Sequence, residues 1–224
     1  MAKTSRPVNP ATPVALTSDD PLESATLWLQ ANGKLVAIGA AVVIAVGLGV
    51  YGVRASDAKK QANASSALYA AQGSLYEGKL EEAREALKGV ADRYDGTSAG
   101  EQAVLLLAQT YFDGGQFTEG LAVLEEARSG ASASFASSMD VLMAAGHESQ
   151  GNFELAAARY AAAAEAAGSE TERDGHRLSQ ARALMRGGKS AEAIAIFEAL
   201  RERRDSPYAQ EAAVRLGELQ ASAR

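Results

Sequence analysis

Four glycines recur at a nearly constant interval: Gly78, Gly115, Gly151 and Gly188 stand 37, 36 and 37 residues apart. Each opens the same pattern. A small residue follows at the fifth position (Ala83, Gly120, Ala156, Ala193) and a large one at the ninth (Leu87, Leu124, Tyr160, Phe197). An apolar residue follows at the twelfth (Val90, Ala127, Ala163, Leu200). Offsets of five, nine and twelve share one face of an α-helix. Glycine reaches, at low cost, the positive φ that ends a helix. The pattern therefore predicts a helix hairpin repeated four times: the glycine closes a first helix, and the small residue lets a second lie against it. No such unit buries its apolar face alone, so the units stack into a solenoid.

Composition agrees with an all-α chain. There are 49 alanines, and no proline occurs between Leu22 and Ser206. Alanine is the best helix former and proline the worst. Pro207 precedes Tyr208–Leu219, an amphipathic stretch suited to capping the open end of the solenoid.

A second feature stands apart from the repeats. Residues 35–53 contain no charge (LVAIGAAVVIAVGLGVYGV), with Trp28 and Tyr51 near the two ends. As a helix this run is about 28 Å long, close to the ~30 Å hydrocarbon core of a bilayer, and the aromatic rings suit the headgroup zone. Asp20-Pro21-Leu22-Glu23 reads as the start of that helix, with a capping aspartate and proline at the first helical position. The expected organisation is a disordered tail over 1–20, an interfacial turn and transmembrane helix over 21–54, and the repeat domain over 55–224. A competing reading takes Gly47-Leu48-Gly49-Val50-Tyr51-Gly52 as a dinucleotide-binding glycine motif of a nucleotide-dependent enzyme. That motif needs a strand before it and a parallel sheet around it, and no later segment offers the strands.

The hairpin pattern resembles the tetratricopeptide repeat, whose usual period is about 34 residues. The second unit matches best, with Ala108 and Tyr111 where that family places a small residue and an aromatic. The third departs from it, with Asp140 and His147 in its first helix, and the fourth has Ser190 in place of an aromatic. The longer period suggests extended loops, notably over Ser129–Ser138. Beyond the repeats, Leu29-Gln30-Ala31-Asn32-Gly33-Lys34, the apolar span and Ser66-Ala67-Leu68-Tyr69 are similar to the ancillary SecYEG translocon subunit family (YfgM-like), as is the stretch Thr97–Gly120. The resemblance covers residues 22–127. It implies a single-pass inner-membrane anchor with a cytoplasmic N-terminus, and a periplasmic repeat domain associated with the export translocon, periplasmic chaperones or other envelope clients. A generic scaffold for envelope assembly or division is the alternative within the same class. Flanking charge points the other way: Arg54, Lys59 and Lys60 outnumber Lys34, which by the positive-inside rule favours a cytoplasmic repeat domain.

Little in the sequence suggests catalysis. There is no cysteine, which excludes disulfides, thiolate metal sites and a thiol nucleophile. His147 and His176 are 29 residues apart with no acidic partner at ligand spacing, and they read as helix-surface or hairpin residues. Glu81, Glu82, Glu85, Glu125 and Glu126 are expected on outward faces, in solvated pairs with Arg84, Lys88 and Arg128. A formal charge of −6 argues against nucleic acid as a partner. Charge is uneven, with 8 basic and 18 acidic side chains over 55–172 but 10 basic and 7 acidic over 173–224. The expectation is a non-enzymatic scaffold with no cofactor, metal or small-molecule substrate, held in lipid by residues 35–53.

In stacked hairpins the first helices line the concave surface. Counting back from the hairpin glycines places Gln102, Leu105, Gln109 and Phe112 there in the second unit. Val141 takes the same place in the third unit, and Leu178, Arg182 and Arg186 in the fourth. Amides, apolar groups and two arginines one turn apart suit an extended or helical peptide, with the arginines holding an acidic group. The competing expectation is that these residues pack against the neighbouring repeat.

Overall fold

The computed structural model describes residues 21–222, so the expected tail and the capping Asp20 lie outside the described residues. Nine helices occur among them: α1 (Pro21–Tyr76), α2 (Leu80–Arg93), α3 (Ser98–Asp113), α4 (Phe117–Arg128), α5 (Ala133–Ser149), α6 (Phe153–Ala166), α7 (Glu170–Arg186), α8 (Ser190–Glu202) and α9 (Ala209–Ser222). The chain divides into two compact units, residues 1–56 and 57–224.

In the first unit α1 is helical throughout, and every side chain from Leu35 to Val53 is exposed. It is the one described helix long and apolar enough to cross a membrane. The nucleotide reading of Gly47–Gly52 is overturned here. These residues lie inside an unbroken helix, none of its glycines has positive φ, and no strand occurs among the described residues.

The second unit is a tetratricopeptide-like solenoid of four helix hairpins. Its first helices are the end of α1, α3, α5 and α7; its second helices are α2, α4, α6 and α8. All four hairpin glycines adopt positive φ, between 73° and 77°. At Gly115, Gly151 and Gly188 the backbone doubles back so that the residue after the glycine donates to a carbonyl five positions before it, for instance Gln116 N to Tyr111 O at 2.8 Å. The repeat positions fill the interior as the pattern requires. Ala83, Ala156 and Ala193 are fully buried, as are Leu87, Leu124 and Phe197. Gly120 takes the small position of the second unit because the Phe112 ring occupies the space, where an added Cβ would lie 2.5 Å from it.

The buried apolar residues form three clusters. One joins the end of α1 to α2 and α3 through Ala64, Leu68, Leu87, Val90 and Leu107. A small one lies where α3 and α4 meet α5: Ala108, Leu124, Met139 and Met143. The third runs from α5 to α9 around Phe197, Leu178, Leu184, Leu200 and Leu216. Through Ala212, Leu216 and Leu219, α9 closes the end of the solenoid as the sequence implied.

Two expectations need correction. Ser129–Ser138 is not an extended loop: only residues 129–132 separate α4 from α5, and Ala133 begins a helix of 17 residues. The long period is absorbed by long first helices, of 16, 17 and 17 residues in α3, α5 and α7. Nor is Arg84 solvated, although it does pair with the outward Glu81 at 2.7 Å, and Arg128 pairs with a buried aspartate instead of an outward glutamate. Arg84 is 7% exposed. It donates to Thr110 O at 2.7 Å, at the carboxyl end of α3, while lying 4.7 Å from the Tyr111 ring centroid. Burial of the guanidinium is compensated by Glu81 and by the Thr110 carbonyl in the last turn of α3, which Gly114 N reaches only at 3.3 Å. Arg128 turns inward to Asp140. Lys88 does make an exposed pair one turn along its own helix, with Asp92 at 2.9 Å, and Glu81, Glu82, Glu85, Glu125 and Glu126 are exposed.

Candidate partner-binding face

The eight residues expected on the concave surface separate into three groups. Gln102 and Gln109 on α3 are exposed, and Val141 on α5 is half-buried. Gln109 Nε2 donates to Asp113 Oδ1 at 2.7 Å, one turn further along. Around Val141 the facing side of α5 is built from small groups: Ser138 and Ser149 are exposed and Ala145 is half-buried.

The second group is structural. Leu105 and Phe112 are half-buried against Ala108, Leu124, Met139 and Met143. The Phe112 ring fills space above Gly120 and Gly146, where an added Cβ on Gly146 would fall 2.7 Å from the ring edge. It bridges α3, α4 and α5, and its ring centroid is 5.6 Å from that of Phe117. Leu178 is 2% exposed and belongs to the large C-terminal cluster with Leu216. Its expected place on the binding face is therefore wrong. The capping helix α9 sits over the end of the solenoid, and its apolar side covers Leu178 with the rest of that core.

The third group comprises the arginines, which are accessible but engaged. Arg182 pairs with Glu211 of α9. Arg186 Nη1 is 3.3 Å from Glu148 Oε1 of α5, and its guanidinium lies 4.3 Å from the Phe153 ring centroid. A carboxylate on a partner would have to displace an internal one at either arginine.

The histidines are not surface residues. His147 is half-buried on α5 with its Nδ1 enclosed and without a hydrogen-bond partner. Burial, reinforced by the nearby Arg159 charge and opposed by Glu125, pushes its imidazole below the usual range. His176 Nε2 is 3.2 Å from Ser137 Oγ, which donates to Ala163 O at 3.1 Å. The same nitrogen lies 3.6 Å from Glu172 Oε1, an acidic neighbour one turn back on α7, which corrects the expectation of no acidic partner.

Two buried carboxylates organise the polar interior. Asp140 is wholly buried on α5. Arg128 approaches it from α4 at 2.7 Å and Arg159 from α6 at 3.5 Å, while Arg159 also reaches Glu125 of α4 at 2.5 Å. Asp174 is 1% exposed on α7 and meets Arg203, just beyond α8, at 3.2 Å. Arg203 also binds Glu170 at 2.9 Å, which holds the Glu170 carboxyl below its usual range. The sequence signal for Asp140 was a carboxylate on an apolar stripe; Asp174 carried no signal that separated it from its charged neighbours. No group of three His, Asp or Glu side chains able to hold a metal ion occurs among the described residues.

Comparison with known proteins bears on this geometry. Residues 27–136 match the family described as tetratricopeptide repeat-like domain, and residues 177–206 match a tetratricopeptide repeat. Among solved structures, the chain is similar to nearly identical TPR-like repeats of a kinesin light chain type from Podosopora anserina. The identity is 18% and the TM-score 0.54, over 71% of this chain and 86% of that one. A variant of the same protein gives a TM-score of 0.53 at the same identity and coverage. A search of curated proteins returns no match. At that identity the structural likeness speaks for the fold.

Proposed function

Because this chain folds as tetratricopeptide-type repeats and carries an apolar N-terminal helix, we propose that it is a membrane-anchored scaffold that holds a segment of a partner protein. The segment lies on the face formed by α3, α5 and α7. The observation that carries this reading is the row Gln102, Gln109, Ser138 and Ser149, exposed on successive first helices. None of these positions belongs to the three buried clusters. Small groups on α5 beside longer amides on α3 suit a main chain, whose peptide groups the glutamines can both donate to and accept from. The fold is one that typically serves as an interaction scaffold rather than a catalyst.

The partner class follows from the resemblance of residues 22–127 to the ancillary translocon subunits. The partners are the export translocon, periplasmic chaperones or envelope clients, the repeat domain is periplasmic, and the anchor is residues 35–53 in the inner membrane. The flanking lysines and arginine weigh against that orientation.

The test is crosslinking of the full chain in native membranes, followed by identification of what it captures. Gln102→Lys with Gln109→Lys should reduce capture, whereas Glu82→Lys with Glu85→Lys on the outer wall should not. Both pairs are exposed, so neither should lower the melting temperature much. The arginines are the poorer probe, since reversing Arg182 or Arg186 would set it against Glu211 or Glu148. Loss of capture by the outer-wall pair alone would show that the face is assigned backwards.

A further inference from the structure

The three apolar clusters are unequal, and the smallest lies at the centre of the solenoid. Among the described residues, thirteen buried apolar side chains join α5 through α9, and eight join the end of α1 to α3. Only four, Ala108, Leu124, Met139 and Met143, lie where the second repeat meets the third. Two of the four are methionines, whose unbranched chains repack at little cost. Polar contacts do the rest of the closing. Arg128 of α4 binds Asp140 of α5 through Nε at 2.8 Å and Nη2 at 2.7 Å. Arg159 of α6 reaches Glu125 of α4 at 2.5 Å. Glu101 of α3 accepts from Ser132 N, at the start of α5, at 2.5 Å and from its hydroxyl at 3.1 Å. The connection itself is only residues 129–132.

We infer that this seam is the hinge of the solenoid and that the Arg128–Asp140 ion pair, with Arg159–Glu125 beside it, is its latch. Residues 57–128 form one rigid block and residues 133–222 the other. Apolar contact resists opening in proportion to the area it would expose, and here it rests on four buried side chains and on partly exposed neighbours such as Phe112, Leu121 and Phe135. The latch differs in kind. Asp140 is wholly buried, while the side chains of Arg128 and Arg159 are 33% and 29% exposed. Opening the seam moves Arg128 toward water, where it is readily solvated, and leaves the buried carboxylate with only the 3.5 Å contact to Arg159 of its own block. The closed angle is therefore favoured by a few specific bonds rather than by a broad apolar surface, which gives two discrete arrangements instead of continuous bending. The consequence is geometric: Gln102 and Gln109 ride on the first block, Val141, Arg182 and Arg186 on the second. Rotation about the seam changes the width of the face between them. This inference does not depend on what that face binds.

The chain contains no cysteine, so spin labels can be placed by paired substitutions without removing native thiols. In the full chain in detergent, Glu85→Cys with Glu198→Cys spans the seam. Glu85→Cys with Thr118→Cys lies within the first block, and Ala158→Cys with Glu198→Cys within the second. Pulsed dipolar spectroscopy should give a broader distance distribution for the spanning pair than for either internal pair. Asp140→Asn should broaden it further and shift its mean, leaving the internal pairs unchanged. If Asp140→Asn loses helical circular dichroism, Glu101→Ala takes its place, since it releases only the Ser132 contact at the rim. A spanning distribution that stays as narrow as the internal ones overturns the hinge. So does broadening of the second-block pair to the same degree.

Discussion

Gly151 and Gly89 are both glycines with open space where a Cβ would stand, yet opposite consequences follow from their backbones. Gly151 has φ of 77°, so Gly151→Ala is strained although nothing obstructs it. The expected cost is about 1–2 kcal/mol, read by urea denaturation. Gly89 lies inside α2 with ordinary helical φ, and Gly89→Ala should stabilise by about 0.5–1 kcal/mol through reduced freedom of the unfolded chain. Equal effects of the two substitutions would show that the hairpin glycines are not conformationally required. His147 supplies the pH dependence. Burial, then Arg159, holds its imidazole below the ordinary value in the folded protein. The unfolded chain therefore binds the proton first, and this residue's contribution is complete above about pH 6.5 and declines as pH falls through the folded value. His147→Phe should accordingly narrow the difference in melting temperature between about pH 7.5 and pH 5.5. An undiminished difference would assign the acid sensitivity to another group.

Helices of like appearance in the sequence have different tasks. α1 changes character along its length: Leu35 to Val53 is exposed apolar surface, while Ala64, Leu68 and Ala71 are buried on the first hairpin. A stretch of that length and hydropathy could cross a membrane. The full chain should remain in the membrane pellet through alkaline carbonate extraction, and release into the supernatant would refute an anchor at residues 35–53. α9 shows the reverse case. Read alone it is a modest amphipathic helix; in place, it supplies Ala212, Leu216 and Leu219 to the largest cluster. That coverage takes Leu178 off the binding face. The start of α5 reads as a loop in the sequence because its serines can bond nearby backbone groups in place of a helical turn. Glu101, from another helix, holds Ser132 at its first turn.

For the molecule as a whole, the hairpin period and the uncharged run already specified an all-α chain with an apolar N-terminal helix and four stacked units. Both signals are local: a glycine with positive φ, one face of a helix, and a length without charge each need only neighbours within a few turns. The division of the charged and facing residues was not legible in that way. Arg84 and Lys88 are one helical turn apart in the same acidic helix, and nothing in that helix says which one turns inward. The Thr110 carbonyl in the last turn of α3, 26 residues away, does so for Arg84. Asp140 is tolerable in the interior only because α4 and α6 each bring it an arginine. Of the eight residues counted onto the concave face, the periodicity could place each on a helix side. Whether that side met a partner, the next repeat or the capping helix depended on which helices came to rest against it, a long-range arrangement set by burial and by ion pairs between elements.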